Sequence, residues 1–291
     1  MNSPATTPAQ PTRMSKLPGI KVLLEGPAGT GKTYSVSTLF EVPGIKRVVY
    51  FAFEQGTESL LGVWADRGKP VPEGLHICTV HAANAGWEDM AAMAKMANTV
   101  SYESLKKAVD SKRNLYNQYE KFLRQFNDVV TDAGVHLGNV SDWGTDTALV
   151  IDGMTGLGDA VMKTIIGGKA DRDQKDWGLA QNFLENFMRK STSELRCHFV
   201  VQGHIDRETD PVLGGSKITI ATLGKALAPK IPPMFSDVIL TERLAGPKWV
   251  WNTENPQADL KARNLPFASG QPPSFVPLLV KWEKRGGAYE A

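Results

Sequence analysis

Gly26-Pro27-Ala28-Gly29-Thr30-Gly31-Lys32-Thr33 carries the spacing G-x-x-x-x-G-K-[ST], and these residue types answer one chemical need, the holding of a chain of phosphates. Glycines let the backbone curl until successive N–H groups point inward at phosphate oxygens. A helix opening near Lys32 adds its positive N-terminal end. Lys32 is placed to neutralise β- and γ-phosphate charge, and Thr33 offers a hydroxyl to Mg²⁺, which keeps several waters and accepts few protein oxygens. The ligand that fits Gly26, Pro27, Ala28, Gly29, Thr30, Gly31, Lys32 and Thr33 is a nucleoside triphosphate.

A metal-bound triphosphate also needs a carboxylate at the end of a buried strand. Ala148-Leu149-Val150-Ile151-Asp152 supplies it, which makes Asp152 the second metal-side residue beside Thr33. Gly153 follows, so no base stands directly next to that acid and one must come from another strand. Glu54, after Val48-Val49-Tyr50-Phe51-Ala52-Phe53, is the candidate to orient or deprotonate the attacking water; a structural acid at a strand end is the alternative. Phe199-Val200-Val201 runs into Gln202-Gly203-His204. Gln202 or His204 could touch the γ-phosphate and register its loss, the other reading of the histidine being a satisfied loop residue.

The elements that must position these residues are short apolar runs at 20–25, 47–53, 148–152, 198–202 and 237–241, rich in Val, Ile, Leu and Phe with little alternation, as expected of strands covered on both faces. Helical patterns alternate with them, so a parallel sheet joined by crossover helices is expected. From about Trp87 to Thr131 the texture changes. Leu105, Val109, Tyr116, Tyr119, Leu123, Phe126 and Val130 recur at helical steps, which predicts a helical insertion over about 84–138. Its Lys106, Lys107, Lys112, Arg113, Lys121 and Arg124 read as a solvated face before a DNA-binding stripe. The last part, about 246–291, predicts a hairpin with 248–252 as one arm, followed by irregular Pro-rich chain.

Length and a 42% hydrophobic content suit one large α/β unit at 19–291. Residues 1–18, rich in Pro, Thr, Ser and Ala without an apolar stretch, read as a disordered tail on a cytoplasmic protein. Lys and Arg total 33 against 31 acidic residues, so a polyanion partner would need a local patch. Cys78 and Cys197 are far apart and read as free buried thiols. No window approaches the roughly 18 apolar residues of a membrane span.

Taken in order, GPAGTGKT, Glu54 after the second strand, LVIDGMTGL and VVQGHIDRE resemble the RecA-like ATPases more than the AAA+ type. VVQGHIDRE is similar to a strand and loop of bacterial RadA. Asp176-Trp177-Gly178-Leu179-Ala180-Gln181, followed by an amphipathic helix, resembles the phage RecA-like ATPases implicated in single-strand annealing. The likeness covers about Ile20 to Leu265 without the insertion. It implies an α/β, RecA-like P-loop NTPase fold with a mostly parallel central sheet flanked by helices, ATP and Mg²⁺ as cofactors, and hydrolysis coupled to DNA recombination in a homo-oligomer, within the cytoplasm of a bacterial host if the protein is phage-encoded. It further implies that Lys261 and Arg263, in Lys261-Ala262-Arg263, reach the neighbouring subunit's γ-phosphate in trans. Single-stranded DNA would be held by loops at about 156–174 and 205–224, with Lys163, Lys169, Arg172, Arg207 and Lys217 on its phosphates and a single-strand-binding protein as a further partner.

DNA-stimulated hydrolysis with annealing or strand exchange is the reading these features favour. A nucleic-acid motor or loader, a small-molecule kinase and a nucleotide-gated assembly protein stay open as alternatives. A kinase gives no reason for Glu54 and usually carries an Arg-rich lid that is not seen.

Overall fold

The computed structural model describes residues 17–81, 87–101, 103–104, 116–167, 172–209, 215–246 and 248–291. Strands β1 (Lys21–Glu25), β2 (Arg47–Ala52), β3 (Leu75–Thr79), β4 (Thr147–Asp152), β5 (His198–Gly203) and β8 (Asp237–Arg243) run parallel in the order β8-β1-β5-β4-β2-β3. Two antiparallel strands, β9 (Trp249–Asn252) and β10 (Lys261–Ala262), pair with the outer edge of β8. A separate hairpin joins β6 (Ile205–Thr209) to β7 (Ser216–Ile220).

Alternate side chains of each central strand feed two cores, one on each face. On one face Leu23, Val49, Phe51, Leu149, Ile151, Phe199 and Val201 pack with residues of α4 (Gln118–Gln125), α5 (Met154–Ile166) and α6 (Gln174–Glu194), following α3 (Trp87–Thr99) in the chain. On the other, Val22, Leu24, Val48, Tyr50, Val150 and Val200 pack with α1 (Lys32–Val36), α2 (Thr57–Asp66) and α7 (Val276–Lys284). The result is the α/β, mostly parallel RecA-like P-loop architecture expected from the sequence. Because the strands are parallel, their carboxyl ends share one edge, where ligands of open α/β sheets bind. The register aligns Glu25 with Gly203, Gln202 with Asp152, and Asp152 with Ala52. β5 lies between the strands that end at the phosphate loop and at Asp152.

Several sequence expectations are corrected here. β3 was not expected: Leu75-His76-Ile77-Cys78-Thr79 is an edge strand, mostly half-buried, and lacks the apolar run of its neighbours. The predicted helical stretch to Thr131 stops at Gln125, and Val130 instead bridges His136 in a turn. Of the expected apolar stripe Tyr119 is buried and Phe126 packs against the core, whereas Leu123 is 38% exposed and Phe122, outside the stripe, is buried. The end of this stretch belongs to the main core. Leu105, Val109, Lys106, Lys107, Lys112 and Arg113 lie outside the described residues, as do 1–16 of the predicted tail.

The predicted loop 156–174 is mostly helix α5, preceded by Gly153 at φ 104°. Its glycines mark close packing: a Cβ at Gly156 would fall 2.9 Å from Phe53 O, and one at Gly158 3.2 Å from Leu223. The predicted loop 205–224 contains the β6–β7 hairpin. The C-terminal hairpin is present as β8–β9, but the chain after it is not irregular throughout. Pro277, near the start of α7, needs no N–H donor there, and Leu278, Leu279 and Trp282 are buried. Both cysteines are free and buried, and burial pushes their thiols up to about 12 for Cys78 and about 11 for Cys197.

Candidate nucleotide site

The loop from Gly26 to Thr33 connects β1 to α1 as the phosphate cradle requires. Gly29 and Gly31 adopt φ of 72° and 79°, a left-handed conformation costly to any residue with a Cβ. Gly26, and Gly31 a second time, are required by contact. A Cβ at Gly26 would meet Thr241 Oγ1 at 2.1 Å, and one at Gly31 the Trp249 ring at 2.8 Å. Thr30 Oγ1 bonds both Pro27 O and Thr241 Oγ1, and Trp249 Nε1 donates to Gly29 O at 3.1 Å. The loop is therefore braced from β8 and β9 before any ligand arrives.

Lys32 Nζ donates to Gly26 O and Pro27 O, both at 2.8 Å. Burial lowers its pKa to about 8, against the raising influence of Asp152 and Glu54. Asp152 is buried, and desolvation raises its carboxyl to about 6, opposed first by the hydrogen bond it accepts from the Tyr50 hydroxyl. The Thr33 side chain also acts on the Tyr50 hydroxyl, opposing the rise that burial causes.

The placement of Glu54 explains the glycine after Asp152. A Cβ at Gly153 would lie 2.7 Å from Glu54 Cγ. The carboxylate from β2 occupies the space a side chain at 153 would need. Phe53 N donates to Asp152 O at 2.9 Å, fixing the chain just before Glu54. Glu54 Oε2 stands 3.1 Å from His204 Nε2, and the two form an ion pair when the imidazole is protonated. Gln202 is fully buried, with Nε2 donating to Lys32 O at 3.3 Å and Oε1 without a partner. Lys32, Thr33, Glu54, Asp152, Gln202 and His204 line one cavity of about 770 Å³, together with Tyr34, Gly56 and Trp249.

Lys261 and Arg263 are not in that cavity. β10 pairs with Asp237 and Val238 at the start of β8, the opposite edge of the sheet. There Lys261 Nζ donates to Phe235 O at 2.7 Å, and burial followed by the nearby Arg263 lowers its pKa. The two residues line a second cavity of about 530 Å³ with Arg285. Of the cations expected to meet DNA, Lys163 is in the last turn of α5, Arg172 lies over the Trp177 ring at 5.5 Å, and Arg207 is exposed on β6. Lys217 on β7 pairs with Asp259 at 3.0 Å. Lys169 is outside the described residues.

A family model described as AAA_24, an AAA domain, matches residues 18–263. The chain belongs to that family. The AAA_24 domain is a P-loop ATPase domain. No curated protein matches it. Among solved structures it is similar to the RadB recombinase, at 15% identity and TM-score 0.37 over 83% of this chain and 84% of that one. It is also similar to the assembled ATPase EscN from the enteropathogenic E. coli type III secretion system, at 13% identity and TM-score 0.36 over 77% of this chain. A prototypical ATPase from the type III secretion system of pathogenic bacteria matches at 13% and 0.34 over 78%. The AAA_24 domain spans 43% and 52% of those two secretion ATPases.

The residues present fit a nucleotide that brings its own cation. Among the described residues no cluster of three or more His, Cys, Asp or Glu could hold a metal unaided. A threonine hydroxyl and one aspartate are the few oxygens that a mostly hydrated Mg²⁺ accepts, and the orphaned Gln202 Oε1 beside them has capacity for a water or ligand donor. Sequence reasoning missed Tyr50, Tyr34 and Trp249. The one available signal was a tyrosine inside an otherwise apolar buried strand, since a buried hydroxyl needs a partner. No described helix is long and apolar enough to cross a membrane.

Proposed function

We propose that this AAA_24 domain is a Mg²⁺-dependent ATPase that binds single-stranded DNA as a homo-oligomer and acts in phage-type recombination or annealing. The observation that supports a DNA-coupled site is the contact between Glu54 and His204. His204 ends the linker between β5 and the β6–β7 hairpin, which carries Arg207 and Lys217. A ligand settling on that hairpin would act directly on the side chain that holds the candidate base.

In this reading Lys32 and the loop N–H groups bind the phosphates, while Thr33 and Asp152 hold Mg²⁺, which supplies charge neutralisation at the transferring phosphoryl group. Glu54 orients the attacking water, Gln202 and His204 sense the γ-phosphate, and the hairpin cations bind DNA phosphates with little base preference. Lys261 and Arg263 lie at the far edge of their own sheet, so any phosphate they serve belongs to another copy. A single-strand-binding protein is the further partner this role calls for. The test is ATP turnover by the full chain with and without single-stranded DNA at low salt, alongside Lys32→Ala. DNA should raise the rate and Lys32→Ala should abolish it. An unchanged rate across DNA concentrations sinks the DNA-coupled reading.

A further inference from the structure

A tyrosine hydroxyl inside a core has to find a partner, and Tyr50 finds one on the metal side of the nucleotide site. Its side chain is fully buried on β2 among Val22, Val150 and their neighbours. Its O–H donates to Asp152 Oδ2 at the end of β4, and the Thr33 side chain, on α1, acts on the same phenol.

The surroundings are cut back to admit it. Ala52 stands opposite Asp152 in the β2–β4 register, and a Cβ at Gly56 would come within 2.6 Å of Asp152 Oδ2 and 3.3 Å of the Tyr50 hydroxyl. A donor fixed on Asp152 Oδ2 keeps the buried carboxylate from turning, and among the described residues no hydrogen bond engages Oδ1.

We propose that Tyr50 is a positioning residue for the metal end of the site, its hydroxyl holding the Asp152 carboxylate in the arrangement that, with Thr33, receives Mg²⁺. The inference rests on reading Thr33 and Asp152 as the metal-side pair. Partners that orient metal ligands typically cost 10- to 100-fold in metal affinity when removed.

The experiment is equilibrium binding of a fluorescent ATP analogue to the full chain, titrated with Mg²⁺ and repeated in EDTA. Tyr50→Phe keeps the ring and removes only the hydroxyl. Affinity in EDTA should be unchanged, while the Mg²⁺ concentration giving half the metal-dependent gain rises about tenfold. Gly56→Ala, which crowds the same two oxygens with the tyrosine intact, should raise it too and serves if Tyr50→Phe folds poorly. Asp152→Asn separates the two levels of the argument. If it removes the Mg²⁺ effect and Tyr50→Phe leaves the midpoint within twofold of wild type, the Tyr50 inference is overturned alone. If Asp152→Asn keeps the full Mg²⁺ effect, the metal-side pair is misassigned and the Tyr50 inference goes with it.

Discussion

Glu25 closes β1 immediately before the phosphate loop, with its side chain 2% exposed and Oε2 lacking a partner. Burial, and after it the Asp259 carboxylate, pushes its pKa from 4.5 up to about 8. The folded chain therefore keeps this proton at neutral pH, whereas the unfolded chain releases it near 4.5. Folding takes up one proton between those values, so stability is greatest below the lower one, falls as pH rises through the window, and levels off above about 8. A one-proton difference is worth about 1.36 kcal/mol per pH unit, which sets a ceiling of about 5 kcal/mol. Relaxation and water entry around the carboxylate reduce the expected span to about 2–3 kcal/mol.

Glu25→Gln has nearly the same shape and no proton to lose. In urea unfolding measured from pH 5 to 9, it should run close to wild type at pH 5 and exceed it by about 2–3 kcal/mol at pH 8.5. Asp259→Asn removes the neighbouring charge and should shrink the wild-type loss. Parallel wild-type and Glu25→Gln profiles across the whole range would refute the argument, because they would mean that the carboxyl ionises as freely in the folded chain as in water.

Glu54→Gln should leave ATP-analogue affinity near wild type while lowering single-turnover hydrolysis by about 10²-fold or more, as loss of a positioned base does; turnover within threefold of wild type would remove Glu54 from the mechanism. Gly31→Ala adds a Cβ at φ 79° against the Trp249 ring, and should cost about 1–3 kcal/mol in thermal or urea unfolding together with most nucleotide affinity. The phase of α4 can be read by stability alone: Phe122→Ala should destabilise by about 3–5 kcal/mol and the exposed Leu123→Ala by about 0.5 kcal/mol. Comparable losses at both positions would contradict the packing described.

The phosphate loop, Asp152 and the five central strands were legible in the sequence because each is a local rule. Eight consecutive residues specify the loop, and a run of apolar residues buried on both faces reads the same wherever it sits in the chain. The position of Glu54 was legible as well, through the glycine after Asp152. Only the tertiary structure shows that Glu54 occupies the room Gly153 leaves, since that depends on the register between β2 and β4.

Glycine was the main source of error. Gly156 and Gly158 read as loop signals, yet they let α5 press against Phe53 and Leu223. Gly29, by contrast, is needed for its positive φ, with nothing within 4 Å of a Cβ there. The residue type is the same and the cause differs, and only the neighbours tell them apart. The place of Lys261 and Arg263 was not legible locally: the resemblance assigned them to a neighbouring subunit's phosphate, and only the pairing of β10 with the start of β8 shows that they stand at the edge opposite their own phosphate loop. The sequence by itself determined where the phosphate-loop motif and the strand-end carboxylates lie on the chain. Packing of distant segments decided which side chains meet around them, including the tyrosine that donates to Asp152, because such meetings depend on register and crossover and no local pattern encodes them.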